Sequence, residues 1–263
     1  MKVTQLADAQ FGSIVTEIEL ENLSSEESEQ ILSLWNERAL LIFPEAFLSK
    51  QGQDDFAQIF GNLEFPRTAI SNLAKNGIIH QDPDDDVVKV IRGNEGWHHD
   101  STYMPVQALG AVFTADIVPD EGGLTGWADM RAAYDALDLH TQEKVDTLSA
   151  FHSYYYSQGR DGYLPNDQND DGTYNAYGFH DGEACLRPLV KMHPLTKLPN
   201  LLIGRHAHNV TGMDESESEE FMDGLNDFAC NESRTYFHNW EEGDAVVWDN
   251  SCLLYTSPSP RDS

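Results

Sequence analysis

Within the first half of the chain stands Trp97-His98-His99-Asp100-Ser101. His98 and Asp100 are separated by one residue. On an extended strand side chains alternate between faces, so positions two apart point the same way. An imidazole nitrogen and a carboxylate oxygen then converge on one point, while His99 turns to the opposite face. That spacing fits half of a two-histidine, one-carboxylate site for non-haem Fe(II), which leaves coordination positions open for co-substrate and oxygen.

The segment before this stretch is an acidic loop, Asp82 to Asp86, followed by Val87 to Ile91, which reads as a strand. The segment after it, Ala108 to Ile117, reads as a core strand, and Gly122-Gly123 breaks the chain before Thr125. Asp129 is placed to cap a helix through Arg131 to Leu137, and Thr141 to Leu148 continues as helix. Residues 151–183 are rich in Tyr, Gly, Asp and Asn and read as one long irregular loop. Toward the N-terminus, residues 12–20 alternate as a strand, and Ser24 or Ser25 caps a helix over 26–37. Ala39 to Phe43 is a short buried strand, and 49–60 a second helix ended by Gly61. Toward the C-terminus, 201–204 and 244–248 read as strands, with a helix from Glu215 to about Cys230 between them. No internal repeat or linker divides the chain.

The 263 residues are enough for a buried core, and 40% hydrophobic content is a globular composition. With 45 acidic against 16 basic residues the net charge is -29. Such a field repels phosphate backbones and anionic membranes, so neither nucleic acid nor membrane is expected as a partner. An anionic substrate needs a basic pocket inside an acidic shell, and Arg160, Lys191 and Arg205 are the candidate cations. The three cysteines, Cys185, Cys230 and Cys252, form no disulfide or zinc pattern, which fits a reducing compartment. Met1 to Gln5 carries no apolar signal core, and a cytoplasmic protein is expected. Nothing in the sequence speaks to oligomeric state.

Several segments occur together and in order: Ile59-Phe60-Gly61-Asn62-Leu63-Glu64, Trp97-His98-His99-Asp100-Ser101, Gly122-Gly123-Leu124-Thr125, Asp129 to Leu137, Pro188 to Pro194, Gly204-Arg205-His206, and Trp248-Asp249-Asn250. As a set they resemble the taurine and 2,4-dichlorophenoxyacetate dioxygenases (TauD/TfdA-like), and lean toward the herbicide-degrading branch. The resemblance implies a mainly β fold with flanking helices, a double-stranded β-helix or jelly roll. It implies an oxidoreductase that uses Fe(II), 2-oxoglutarate as co-substrate and O2 to hydroxylate a small organic acid. Carried over by position, His98 and Asp100 are metal ligands and Thr125 binds the 2-oxoglutarate carboxylate. His193 and His206 match histidines near the substrate pocket. Two rival readings are a zinc hydrolase built on the same His-x-Asp pair and a non-catalytic small-molecule-binding protein on the same scaffold. The first lacks any positioned general base.

The pattern breaks after Asn250. In the family, Trp-Asp-Asn is followed by Arg, three residues and the second iron-ligating His, with a later Arg for the distal carboxylate of 2-oxoglutarate. Here Ser251 stands in the Arg slot and Tyr255 in the His slot. The run from Cys252 to Ser263 resembles a translated sequencing adapter joined to a truncated frame. Residues 1–250 are therefore expected to form an incomplete dioxygenase domain, residues 251–263 a non-native tail, and the last core strands to be missing. Without the second His and the distal Arg, the chain as written is expected to be inactive.

Overall fold

The computed structural model describes residues 1–7, 9–73, 77–166 and 178–256. Its strands are β1 (Lys2–Gln5), β2 (Ser13–Thr16), β3 (Leu40–Phe43), β4 (Gly110–Thr114), β5 (Thr125–Asp129), β6 (Ser149–His152), β7 (Cys185–Pro188), β8 (Val190–Met192), β9 (Pro199–Leu201), β10 (Ala207–His208), β11 (Thr235–His238), β12 (Ala245–Asp249) and β13 (Leu253–Tyr255). The α-helices are α1 (Ser25–Arg38), α2 (Lys50–Gln58), α3 (Asp86–Gly93), α4 (Met130–Asp135), α5 (Leu139–Val145), α6 (Tyr154–Arg160) and α7 (Glu215–Ala229).

A five-stranded sheet runs β1-β2-β3-β12-β4, and a three-stranded sheet runs β11-β5-β13. They face each other as the two walls of a jelly roll, completed by β10-β6-β7 and the β8-β9 pair. Alternation on β3 and β12 shows why both are apolar over Leu40–Phe43 and Ala245–Trp248. Leu40, Ile42, Val246 and Trp248 point between the walls, onto Trp127, Leu253 and Tyr255. Leu41, Phe43, Ala245 and Val247 point the other way, under Ile31, Trp35 and Phe56 of α1 and α2. A strand covered on both faces has no polar position to spare. The other large cluster packs α4 and α7, through Met130, Ala133, Met222 and Leu225, onto Leu189, Leu201 and Leu254.

The helix starts follow their capping residues. Ser24 and Glu27 close a capping box on α1, Asp214 and Glu217 another on α7, and Asp129 accepts from the backbone of Arg131 and Ala132 at α4. Three segments depart from the sequence reading, the first being 201–204, read as a strand, of which only Leu201 lies in β9. Val87–Ile91, read as a strand, lies in α3. Asp85 caps its first turn, and Val88 and Ile91 are buried one turn apart. Residues 151–183, read as irregular loop, hold the end of β6 and all of α6. There Ser153 caps the helix, and Tyr154, Ser157 and Gln158 form its buried face. The part of that segment spanning 167–177 lies outside the described residues.

Ser251 to Tyr255, set apart by the sequence reading, are all buried. Leu253–Tyr255 pair antiparallel with Asp129–Trp127 of β5, so this stretch supplies a strand to the inner wall. Residues 257–263 lie outside the described residues.

Candidate active site

His98 sits in extended chain that makes a single antiparallel bridge to Tyr255, with backbone bonds in both directions. This places the His-x-Asp segment beside β13 at the mouth of the inner wall. The alternation expected there is realised. His98 Nε2 and Asp100 Oδ1 lie 3.8 Å apart on one face, while His99 turns away and bonds the carbonyl of Asn250 at 2.8 Å.

Hydrogen bonds set the chemistry of each ring. His98 Nδ1 lies 2.7 Å from the carbonyl of Gly96 and must donate to it, which leaves Nε2 with a free lone pair toward Asp100. Burial lowers the His98 pKa to about 3, and Arg205 and His99 add to the effect, so the ring is neutral. Burial raises the Asp100 acid to about 6, opposed by a hydrogen bond from Tyr255. Its side chain keeps 29% exposure. Asn250 anchors the turn, accepting from the Asp100 amide at 2.8 Å and donating to the Asp100 carbonyl at 2.9 Å. The sequence reading gave Asn250 no role, although it stands in a quoted motif.

Tyr255 closes this group. Its hydroxyl donates to Asp100 Oδ1 at 2.9 Å, and its ring lies 4.3 Å from that of His98. The residue that the sequence reading set in the slot of a second histidine thus lies against both candidate donors. His98 Nε2 and Asp100 are suitable ligands for Fe(II). A protonated phenol that spends its hydrogen on the carboxylate is not, so the set of three does not fit a ferrous ion as it stands.

Thr125 opens β5, fully buried. It shares a strand face with Trp127, which pairs across to Tyr255. Its hydroxyl accepts from Trp240 Nε1 at 2.9 Å, and its proton remains available for an anion. His206 is also brought to the site, with its ring 5.4 Å from His98 and 5.0 Å from Tyr103. Ser157 Oγ, 2.8 Å from His206 Nδ1, donates to the Tyr154 carbonyl and so accepts from the ring, leaving Nε2 free. Next to it, Arg205 bonds Asp161 at 2.6 Å and the Ser157 carbonyl at 2.9 Å through Nη2. Its Nε and Nη1 are buried without a hydrogen-bond partner among the described residues. The other candidate cations are occupied, Arg160 by Asp223 and Lys191 by Gln107.

His193 has a different setting. Its Nε2 lies 2.7 Å from Asp249 Oδ2, and its Nδ1 accepts from the amides of Leu195 and Thr196. Both nitrogens are committed inside the protein, leaving none for a substrate. His193, Asp249 and Cys252 do bring candidate ligand atoms within 4.8 Å of one another. The amides that fix Nδ1 as an acceptor put the proton on Nε2, so no lone pair faces the group and it is a structural cluster.

The model for the taurine catabolism dioxygenase TauD, TfdA family matches residues 2–255. An (S)-phenoxypropionate/alpha-ketoglutarate-dioxygenase of Sphingobium herbicidovorans is 51% identical over 249 residues, covering 94% of this chain and 86% of that protein. An alpha-ketoglutarate-dependent 2,4-dichlorophenoxyacetate dioxygenase of Cupriavidus pinatubonensis is 32% identical over 93% of this chain and 88% of its own length. Among solved structures, that of AAD-2 with Mn(II) and N-oxalylglycine superposes with a TM-score of 0.87 at 30% identity, covering 97% of this chain and 91% of that one.

Proposed function

Because the chain belongs to the TauD/TfdA dioxygenase family, we propose that its scaffold is built to hydroxylate a small aryloxyalkanoic acid, and that Tyr255 holds this chain inactive. The family's cofactors are Fe(II) and 2-oxoglutarate. Together, when bound, they supply the oxidant for C–H hydroxylation. The substrate class rests on the similarity to the (S)-phenoxypropionate enzyme, with (S)-2-phenoxypropionate as the first compound to test.

Each of the chain's own residues has a part in this reading. His98 and Asp100 offer two metal donors. The Thr125 hydroxyl donates to the co-substrate carboxylate at the end of β5. Arg205 grips the substrate carboxylate, since its free Nε and Nη1 face a buried region where a guanidinium–carboxylate pair is charge-assisted. His206 flanks that position. The observation that carries the inactivity is the Tyr255 hydroxyl bound at 2.9 Å to the carboxylate a metal would need.

The test is succinate release dependent on Fe(II), 2-oxoglutarate and (S)-2-phenoxypropionate, run beside Mn(II) titration. The chain as it stands is expected to release none, and Tyr255→His to bind Mn(II) at least about tenfold more tightly. Iron-dependent succinate release by the unaltered chain, abolished in His98→Ala, overturns the inactivity. Tyr255 also favours the non-catalytic reading, in which the chain binds the acid without turning it over. There (S)-2-phenoxypropionate binds the unaltered chain in calorimetry, and Arg205→Met weakens it about tenfold, or about 1.4 kcal/mol. No heat of binding removes that reading.

A further inference from the structure

The turn that follows Asp100 is held almost wholly by side chains. The Asp100 carbonyl accepts from Asn250, and the Ser101 carbonyl accepts from the Met104 amide at 3.0 Å. The next three are met from β7. The Thr102 carbonyl accepts from Arg187 Nε at 2.5 Å, the Tyr103 carbonyl from Cys185 Sγ at 3.3 Å, and the Met104 carbonyl from Arg187 Nη2. One guanidinium thus spans two carbonyls two residues apart, 85 and 83 positions away in sequence. Ser101, between the metal-site aspartate and this clamp, has a left-handed backbone with φ of 55°. A non-glycine residue keeps such a conformation only where its surroundings enforce it.

The turn also carries a ring that borders the site. Tyr103 stacks on Tyr154 at 5.1 Å and meets the edge of His206 at 5.0 Å. Loosening the turn therefore shifts Asp100 at its start and the ring beside His206 together.

We infer that Arg187 is a positioning residue, the β7 clamp that sets the 101–104 turn and thereby aims Asp100 and Tyr103 into the site. Arginine suits this work because its planar fork donates along two directions at once. A lysine ammonium is a single point on a flexible stem and cannot bridge both carbonyls with the same constraint. The strand behind the clamp is itself fixed, since β7 pairs residue for residue with β6 from Ser149↔Pro188 to His152↔Cys185.

The experiment compares the full chain with Arg187→Met and Arg187→Lys by hydrogen exchange and mass spectrometry. Amides of residues 100–104 are expected to exchange at least about tenfold faster in Arg187→Met, with β3 and β12 unchanged and Arg187→Lys intermediate. Unchanged exchange at 100–104, or an equal rise in β3 and β12, overturns the inference, because a general loss of packing loosens both. A second arm measures Mn(II) affinity with Tyr255→His as the parent, where Arg187→Met is expected to weaken binding about tenfold. Equal affinity with a loosened turn also overturns the positioning role. This arm rests on the half-site reading of His98 and Asp100. If Tyr255→His binds no Mn(II), that reading fails, and the exchange arm alone judges Arg187.

Discussion

Two histidine–aspartate pairs in this protein use the same side chains to opposite ends. In the His193–Asp249 pair every acceptor and donor is spoken for. The histidine takes two backbone amides and donates to Asp249 Oδ2, and Asp249 Oδ1 accepts from the Ser251 amide. In the His98–Asp100 pair the two groups stand 3.8 Å apart without a bond between them, and the free nitrogen faces a carboxylate whose acid is raised to about 6. The closed pair holds strands together. The open pair is costly in folded form, which is what the half-site proposed above requires. Proximity alone favours the closed pair as a metal site; the direction of its protons reverses the choice.

The largest expected effect comes from acid, and it tests whether the open region is held neutral. Burial lowers the pKa of His98 to about 3 and of His99 to about 4, and pushes His152 and His206 well below the ordinary histidine value. The unfolded chain takes up protons on these four near pH 6.5 while the folded chain does not. Stability is therefore full above 6.5 and falls as pH drops below it, by about 1.4 kcal/mol per pH unit for each histidine. Asp100 works the other way, since below pH 6 the folded state holds its proton more tightly. The sum is several kcal/mol lost between pH 6 and 5. Thermal melts against pH should show a steep fall there, and a flat profile breaks the contrast at its root.

Next in size is the direct substitution of the two aspartates. Asp249→Ala leaves the His193 Nε2 proton and the Ser251 amide without their acceptor and should cost about 2–3 kcal/mol in urea unfolding. Asp100→Asn removes a carboxylate that burial already disfavours, and should fall within about 1 kcal/mol of the unaltered chain at pH 7.5. Equal losses in the two variants would mean that both pairs are structural.

How far this contrast was legible in sequence depends on distance along the chain. The convergence of His98 and Asp100 follows from a two-residue period, and the burial of β3 from its run of apolar residues; both need only neighbours. The commitment of His193 needs Asp249, 56 positions away, and its motif position pointed instead to the substrate pocket. Arg187 shows the same limit more sharply, because a guanidinium that serves backbone carbonyls leaves no pattern of side-chain types to read. Val87–Ile91 misled for another reason. Its β-branched residues suit a strand, and the Asp85 cap together with packing at Val88 and Ile91 outweighed that preference.

A smaller effect is expected at the start of β5. Thr125→Val keeps the shape of a fully buried side chain but removes the acceptor of the Trp240 indole N–H. The expected loss is about 1–2 kcal/mol, the usual consequence of leaving a buried donor unpaired. A loss near zero in urea unfolding means that water replaces the hydroxyl, and the start of β5 is then wetter than its burial suggests.

The smallest effect isolates the bond that joins Tyr255 to the open pair. The Tyr255 hydroxyl bond lowers the Asp100 pKa against a larger upward effect of burial. Tyr255→Phe removes only that hydroxyl, so the Asp100 acid should move further above 6 in a carboxylate carbon NMR titration. Stability at pH 7.5 should change by no more than about 1 kcal/mol, since the bond is made to a group that keeps some exposure to solvent. A downward movement of the Asp100 pKa means that another donor takes the place of the phenol once it is gone. The carboxylate would then be as fully satisfied as that of Asp249, and the two pairs would differ in burial rather than in kind.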